Sequence, residues 1–136
     1  MANYRIEDVE GIGEVIGKKL REVGIKDTDS LLAACGTSKQ RKELAEKTGL
    51  SEKQILKFAN MADLYRIDGI GSEYSELLEA AGVDTVPELA QRNPANLAQT
   101  LAEVNEKKKL VRRVPGETEV AKWIEQAKKL PRVLQY

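Results

Sequence analysis

The chain has 136 residues, with 22 Lys+Arg against 22 Asp+Glu, so its formal net charge is zero. That length suits one compact domain or two small units packed together. The charge balance excludes a protein that coats nucleic acid through a global positive field, while leaving room for a local patch. Histidine is absent and Cys35 is the only cysteine, which excludes an intrachain disulfide and removes the commonest general base and metal ligand.

Ala, Leu, Glu, Lys and Gln dominate and alternating β-branched runs are missing, so the pattern predicts helix almost throughout. After Gly11-Ile12-Gly13, the residues Val15, Ile16, Leu20 and Val23 form the apolar face of a helix that Gly24 ends. Thr28 or Asp29 starts the next helix, which buries Leu31 and Leu32. Cys35 follows directly and reads as a small buried apolar residue rather than a nucleophile. Thr37 with Gln40 fits a capping box for a third helix. Leu44 is its anchor and Thr48-Gly49 its stop. Ser51 with Gln54 opens a longer helix carrying Ile55, Phe58, Ala59, Ala62 and Tyr65 at helical spacing. This helix runs into Gly69-Ile70-Gly71.

Beyond it, Leu77, Leu78 and Ala81 face a core and Gly82 ends the helix. Thr85-Val86-Pro87-Glu88 reads as a capping box with Pro in the first turn. Asn93-Pro94 starts a helix marked by Leu97, Leu101 and Val104. A last helix bears Val120, Trp123, Ile124 and Ala127. No apolar run reaches bilayer length and no N-terminal targeting signal is visible, so the expectation is a soluble cytoplasmic protein with no membrane partner.

The order of these elements repeats. Gly11-Ile12-Gly13 returns 58 residues later as Gly69-Ile70-Gly71, followed by Leu20 as Leu78, Gly24 as Gly82, Ile25 as Val83 and Leu31 as Leu89. Further on, Phe58 corresponds to Trp123 and Ala62 to Ala127 at a spacing of 65. About seven extra residues therefore sit in the second copy, near residues 105–116. This insertion carries Lys107-Lys108-Lys109-Leu110-Val111-Arg112-Arg113. The expectation is two units, 1–66 and 67–136, related by pseudo-twofold repetition. Units of this size are marginal alone, so they are expected to share one core.

Val9-Glu10-Gly11-Ile12-Gly13, with Gly17 and Leu20 in the later small and apolar places, resembles the helix-hairpin-helix motif. Gly24-Ile25, Thr28, Leu31, Leu44-Ala45 and Gly49-Leu50-Ser51-Glu52-Lys53 resemble the N-terminal helix-hairpin-helix domain of archaeal and eukaryotic recombinases. Gly82-Val83-Asp84-Thr85-Val86-Pro87-Glu88-Leu89-Ala90 is similar to that domain's second segment. Residues 5–130 also resemble a bacterial family of small tandem helix-hairpin-helix proteins of unknown function. The resemblance implies an all-α fold. It also implies either sequence-independent contact with DNA or RNA backbone or a protein-interaction module. The recombinase ATPase core has no counterpart, because no G-x-x-x-x-G-K-[ST] phosphate loop occurs.

In such hairpins backbone N–H groups meet phosphate oxygens and nearby cations add attraction. Carried over, the first hairpin offers Gly11, Ile12 and Gly13 as donors, with Lys18 and Lys19 on the following helix. Glu7, Asp8, Glu10 and Glu14 oppose an anion there. At the second hairpin Ser72, Glu73, Tyr74, Ser75, Glu76 and Glu79 replace the basic residues, and Asp68 precedes the turn. Gly69, Ile70 and Gly71 are therefore read as structural only. Lys107, Lys108, Lys109, Arg112 and Arg113 either track phosphates or form a solvated helix end. Tyr4, Tyr65, Tyr74 and Tyr136 are too scattered for a base-stacking platform, and Trp123 reads as core. No catalytic residue, metal site or cofactor is indicated. Two functions stay open: a non-enzymatic nucleic-acid backbone binder, or a protein-interaction scaffold displaying Tyr74 or Leu134-Gln135-Tyr136.

Overall fold

A computed structural model of the chain describes residues 3–135. Among these residues a three-residue 3₁₀ turn, Ile6–Asp8, precedes eight α-helices. They are α1 (Glu14–Glu22), α2 (Thr28–Ala34), α3 (Ser38–Thr48), α4 (Glu52–Leu64), α5 (Ser72–Ala80), α6 (Val86–Ala90), α7 (Pro94–Lys108) and α8 (Glu117–Lys129). The all-helical reading of the sequence holds. Before α1 there is no α-helix: residues 4–6 run beside 26–28 and lead into the 3₁₀ turn. Ile6 N–H donates to the Lys26 carbonyl and Thr28 N–H to that of Tyr4, both at 2.9 Å.

The local signals act largely where the sequence places them. Thr37/Gln40 and Ser51/Gln54 are reciprocal capping boxes, and Asn93 caps α7. Two caps differ. α2 starts from Asp27, whose carboxylate accepts the Ser30 amide at 2.8 Å. α6 has no capping box: Thr85 makes no cap bond, and the Val86 amide donates 2.8 Å to Asp63 Oδ2, a carboxylate from α4. Thr85 is buried and its hydroxyl makes no cap bond to α6. The deeply buried Asp63 supplies the acceptor that α6 lacks, and its other oxygen accepts from Arg66 at 2.7 Å.

The helices do not share one core. One cluster gathers Ile6, Leu20, Leu31, Ile55 and Phe58 with their neighbours, and α4 packs on α2 and α3 around it. A second gathers Ile70, Leu78, Leu89, Leu101 and Trp123, and α8 packs on α6 and α7. The expected single core is replaced by two because each half has its own long central helix carrying an aromatic residue. The halves meet along α4 and α5, and the end of α4 serves both: Leu64 joins the second cluster and Tyr65 the first. Cys35 is fully buried in the first cluster, and burial pushes its thiol up to about 12. It is therefore protonated and inert at neutral pH.

The second half is longer in two places. α7 outruns α3, and the joint after it, from Lys109 to the α8 cap at Gly116, is wider than the Gly49-to-Ser51 joint of the first half. Lys109 holds the left-handed conformation (φ 51°) that Gly49 holds in the first half. Asn105 fastens the insertion by bonding both backbone groups of Val111, at 2.9 and 3.1 Å.

Removing one partner from a buried ion pair strands the other charge. Asp63→Ala should therefore cost about 3–5 kcal/mol in urea unfolding. A loss no larger than that of a surface substitution would show that Asp63 does not anchor α6.

Candidate functional site

The two Gly-Ile-Gly turns are built alike. Gly11 and Gly69 take φ of +89° and +96°, a conformation costly for any residue with a side chain. The turn closes through Ile12 N–H to the Val9 carbonyl (3.0 Å) and Ile70 N–H to that of Ile67 (3.2 Å). Both isoleucines are buried. Each first glycine lies against the aromatic ring of its own half. A Cβ on Gly11 would sit 3.3 Å from Phe58 Cε1, and one on Gly69 3.0 Å from Trp123 Nε1. The correspondence of Phe58 and Trp123 is thus one of contact as well as of spacing.

A second correspondence was not legible in the sequence. The residue before each turn has its amide held by a side chain from the same half. Glu10 N–H donates to Tyr65 Oη at 3.4 Å, and Asp68 N–H to Gln126 Oε1 at 2.9 Å. The job is the same but the chemistry differs, so residue type gave no signal. Tyr65 Oη also donates to Ser72 Oγ (3.0 Å), which donates to the Asp8 carbonyl (2.6 Å). These bonds tie the start of α5 to the first turn and set the two turns side by side.

The donors at the first turn are fewer than expected. The Ile12 amide is taken up by Val9, so Ile12 is not a free donor. Gly11 and Gly13 are exposed, and among the described residues none accepts from their amides. The first bond of α1 runs from Gly17 N–H to the Gly13 carbonyl at 2.8 Å, so the Glu14, Val15 and Ile16 amides have no partner inside the helix. Lys18 and Lys19 are exposed one turn further on. Val15, expected on the apolar face, is instead 72 % exposed, and Val23 is also exposed. Ile16, Gly17 and Leu20 fill the inward side between them.

The acidic residues around this turn are not equivalent. Glu7 accepts both Nε and Nη2 of Arg21 at 2.6 Å. Its carboxylate lies over Gly17, where a Cβ would be 2.8 Å from Glu7 Oε2. That contact is a local reason for the small residue there. The Arg21 hydrogen bond holds the Glu7 carboxyl at about 2. Glu10 and Glu14 remain exposed. Burial, with Glu10 and Glu79 adding, pushes the Glu76 carboxyl above its ordinary range, while Lys57 opposes the shift.

The predicted cations are not gathered into one cleft. Lys18 lines a cleft of about 430 Å³ with Arg5, Glu7, Glu14, Arg21 and Glu22. Lys108 lines another with Lys57, Glu76 and Glu79. Arg113 lines a third, of about 460 Å³, at the second turn beside Gly69, Asp68, Lys122 and Trp123. Lys107, Lys109 and Arg112 are exposed around the end of α7 and the joint that follows. Arg113 Nη2 binds both Glu119 oxygens at 3.1 Å, and its carbonyl accepts from Tyr74 Oη at 3.1 Å. The insertion thus returns a cation to the second turn, and α8 adds Lys122. Exposed Lys57 and Lys122 immediately precede the two aromatic residues, a repeat at spacing 65 that the sequence displays.

The scaffold surface expected at Tyr74 and Leu134 is not free. Tyr74 rests against Trp123, ring centroids 5.3 Å apart, and Leu134 is buried in the first core. Tyr136 lies outside the described residues. No group of three or more metal-capable side chains converges among the described residues, and no described helix is long and apolar enough to cross a membrane.

An all-helical protein built on two similar glycine turns, each seated on an aromatic ring, is the class that this geometry defines. The chain belongs to the family of the domain of unknown function DUF4332, whose model matches residues 10–130. Neither the curated proteins nor the solved structures give a match.

Two outcomes test the turn. Gly11→Ala should lower stability by about 1–2 kcal/mol, from the left-handed backbone alone, in urea unfolding; an unchanged midpoint would show that the turn tolerates a side chain. Glu7 lies below its usual 4.5 when folded, so its contribution is full above that pH and disappears as pH falls through about 2. The melting-temperature gap between the wild type and Glu7→Gln should close over that window, and a gap constant with pH would remove the ion pair from the account.

Proposed function

We propose that the chain is a non-enzymatic tandem helix-hairpin-helix protein whose first turn contacts nucleic-acid backbone without reading sequence. One observation carries this reading. Among the described residues nothing accepts from the amides of Gly11 and Gly13 or from those of the first turn of α1, and Lys18 and Lys19 are exposed on the same helix. Backbone donors at a helix N-terminus suit a phosphate oxygen, and the lysines add sequence-independent attraction. Glu7 opposes an anion less than its position suggests, because its charge is paired with Arg21. The second turn serves mainly as structure: Glu73 stands where the first has Val15, and Arg113 is engaged by Glu119.

A second reading, a protein-interaction scaffold, is favoured by the interleaving of cations and carboxylates in all three clefts. Its contact surface would centre on exposed Val15, since Tyr74 and Leu134 are already packed.

Fluorescence anisotropy of labelled single- and double-stranded oligonucleotides at two salt concentrations separates the two. Backbone contact predicts binding that weakens as salt rises. Lys18→Glu/Lys19→Glu should lose affinity by about tenfold or more at low salt. Neutralising the cations in 107–113 should cost less. Absence of binding at low salt would end the nucleic-acid reading. Pull-downs comparing the wild type with Val15→Asp would then test the scaffold.

A further inference from the structure

The segment after α8 does not stay with the half it follows. α8 belongs to the second core, yet Leu134 is buried in the first, with Val133 packed at its edge. Gln135 N–H donates to the Gly36 carbonyl at 2.8 Å, and Arg41 Nη2 donates to the Gln135 carbonyl at 2.8 Å. The same guanidinium donates through Nη1 to the Cys35 carbonyl at 2.8 Å, so it holds the end of α2 and the returning segment together. Nearer α8, Arg66 Nη2 donates to the Pro131 carbonyl while Nη1 holds Asp63. Five non-helical residues thus span the two cores; among the described residues Leu134 and half-buried Val133 pack on the first core, and hydrogen bonds to Gly36, Arg41 and Arg66 fix the backbone.

We propose that residues 131–135 are a releasable latch. When docked, the segment makes the two cores unfold as one body. When undocked, it leaves the second core intact and the first core short of Leu134, with the groove beside Cys35, Gly36 and Arg41 open. The physical ground is its exposure: Pro131, Arg132 and Gln135 are exposed, Val133 is half-buried and only Leu134 of the five is buried. A segment with few buried groups opens at lower free energy than the whole fold. Its extended backbone has no helical bonds of its own to lose.

Trp123 is the only tryptophan and sits in the second core, so its fluorescence reports that half, whereas far-UV circular dichroism reports every helix. In urea, wild-type transitions by the two probes should coincide. In Leu134→Ser the dichroism should fall at lower urea than the fluorescence. Hydrogen exchange should show the Gln135 amide losing protection by about tenfold or more, with α8 unchanged. Leu134→Met, which keeps the apolar volume, should behave as the wild type. Two superimposed transitions shifting together in Leu134→Ser would make the segment an ordinary part of one cooperative fold and overturn the latch. Two unshifted transitions would overturn it as well.

Discussion

Each half is organised around an aromatic ring pressed against a residue that has no side chain. Phe58 lies against Gly11 and Trp123 against Gly69. The contact needs the glycine twice, once for the left-handed backbone and once for the space. It also sets where the central helix of each half must run, since the ring has to arrive under the turn. α1 and α5 start from these turns, and the amides exposed at the first turn owe their direction to the same contact. A larger residue there would displace the ring or the turn, and with it the geometry proposed to meet a phosphate.

Helix chemistry was the most legible layer of the sequence. Thr37/Gln40, Ser51/Gln54 and Asn93-Pro94 act locally, over three or four residues, so their pattern is visible in a linear reading. The Gly-x-Gly repeat and the correspondence of Phe58 with Trp123 could be read because the chain states them twice, whereas the seating of each ring on its glycine could not. Contacts between distant side chains were not readable. Asp63 reaches the α6 amide across 23 residues, and Thr85 resembles the cap that Asp63 replaces. Two cores instead of one, and the return of Leu134 to the first, depend on tertiary packing that periodicity does not encode. Val15 misled for a related reason: helical spacing marks an apolar residue without saying whether a neighbour covers it.

At the candidate site the sequence located the residues but not their engagements. Ile12 falls within the turn, yet its amide closes that turn. Arg113 stands in a basic run, yet the fold seats it at the second turn against Glu119. Charge counted along the chain therefore differs from charge available at the surface. Glu7, one of the carboxylates that oppose an anion at the first turn, is matched by a cation, whereas Glu10 and Glu14, adjacent to the turn in sequence, stay exposed. The second half keeps the shape of the first and uses different side chains to hold it, with Gln126 doing for Asp68 what Tyr65 does for Glu10.

The reach of Asp63 also bears on the order in which the molecule can assemble. A helix of five residues does not persist alone in water. α6 begins at an amide whose acceptor lies on α4, so α6 gains its starting bond only once the end of α4 is in place. α4 in turn is the central helix of the first core. The second half thus draws this bond from the last turn of α4, whose Leu64 lies in the second core, across a long loop closure. That contact is non-local, of the kind that slows folding relative to a bundle held by neighbours alone.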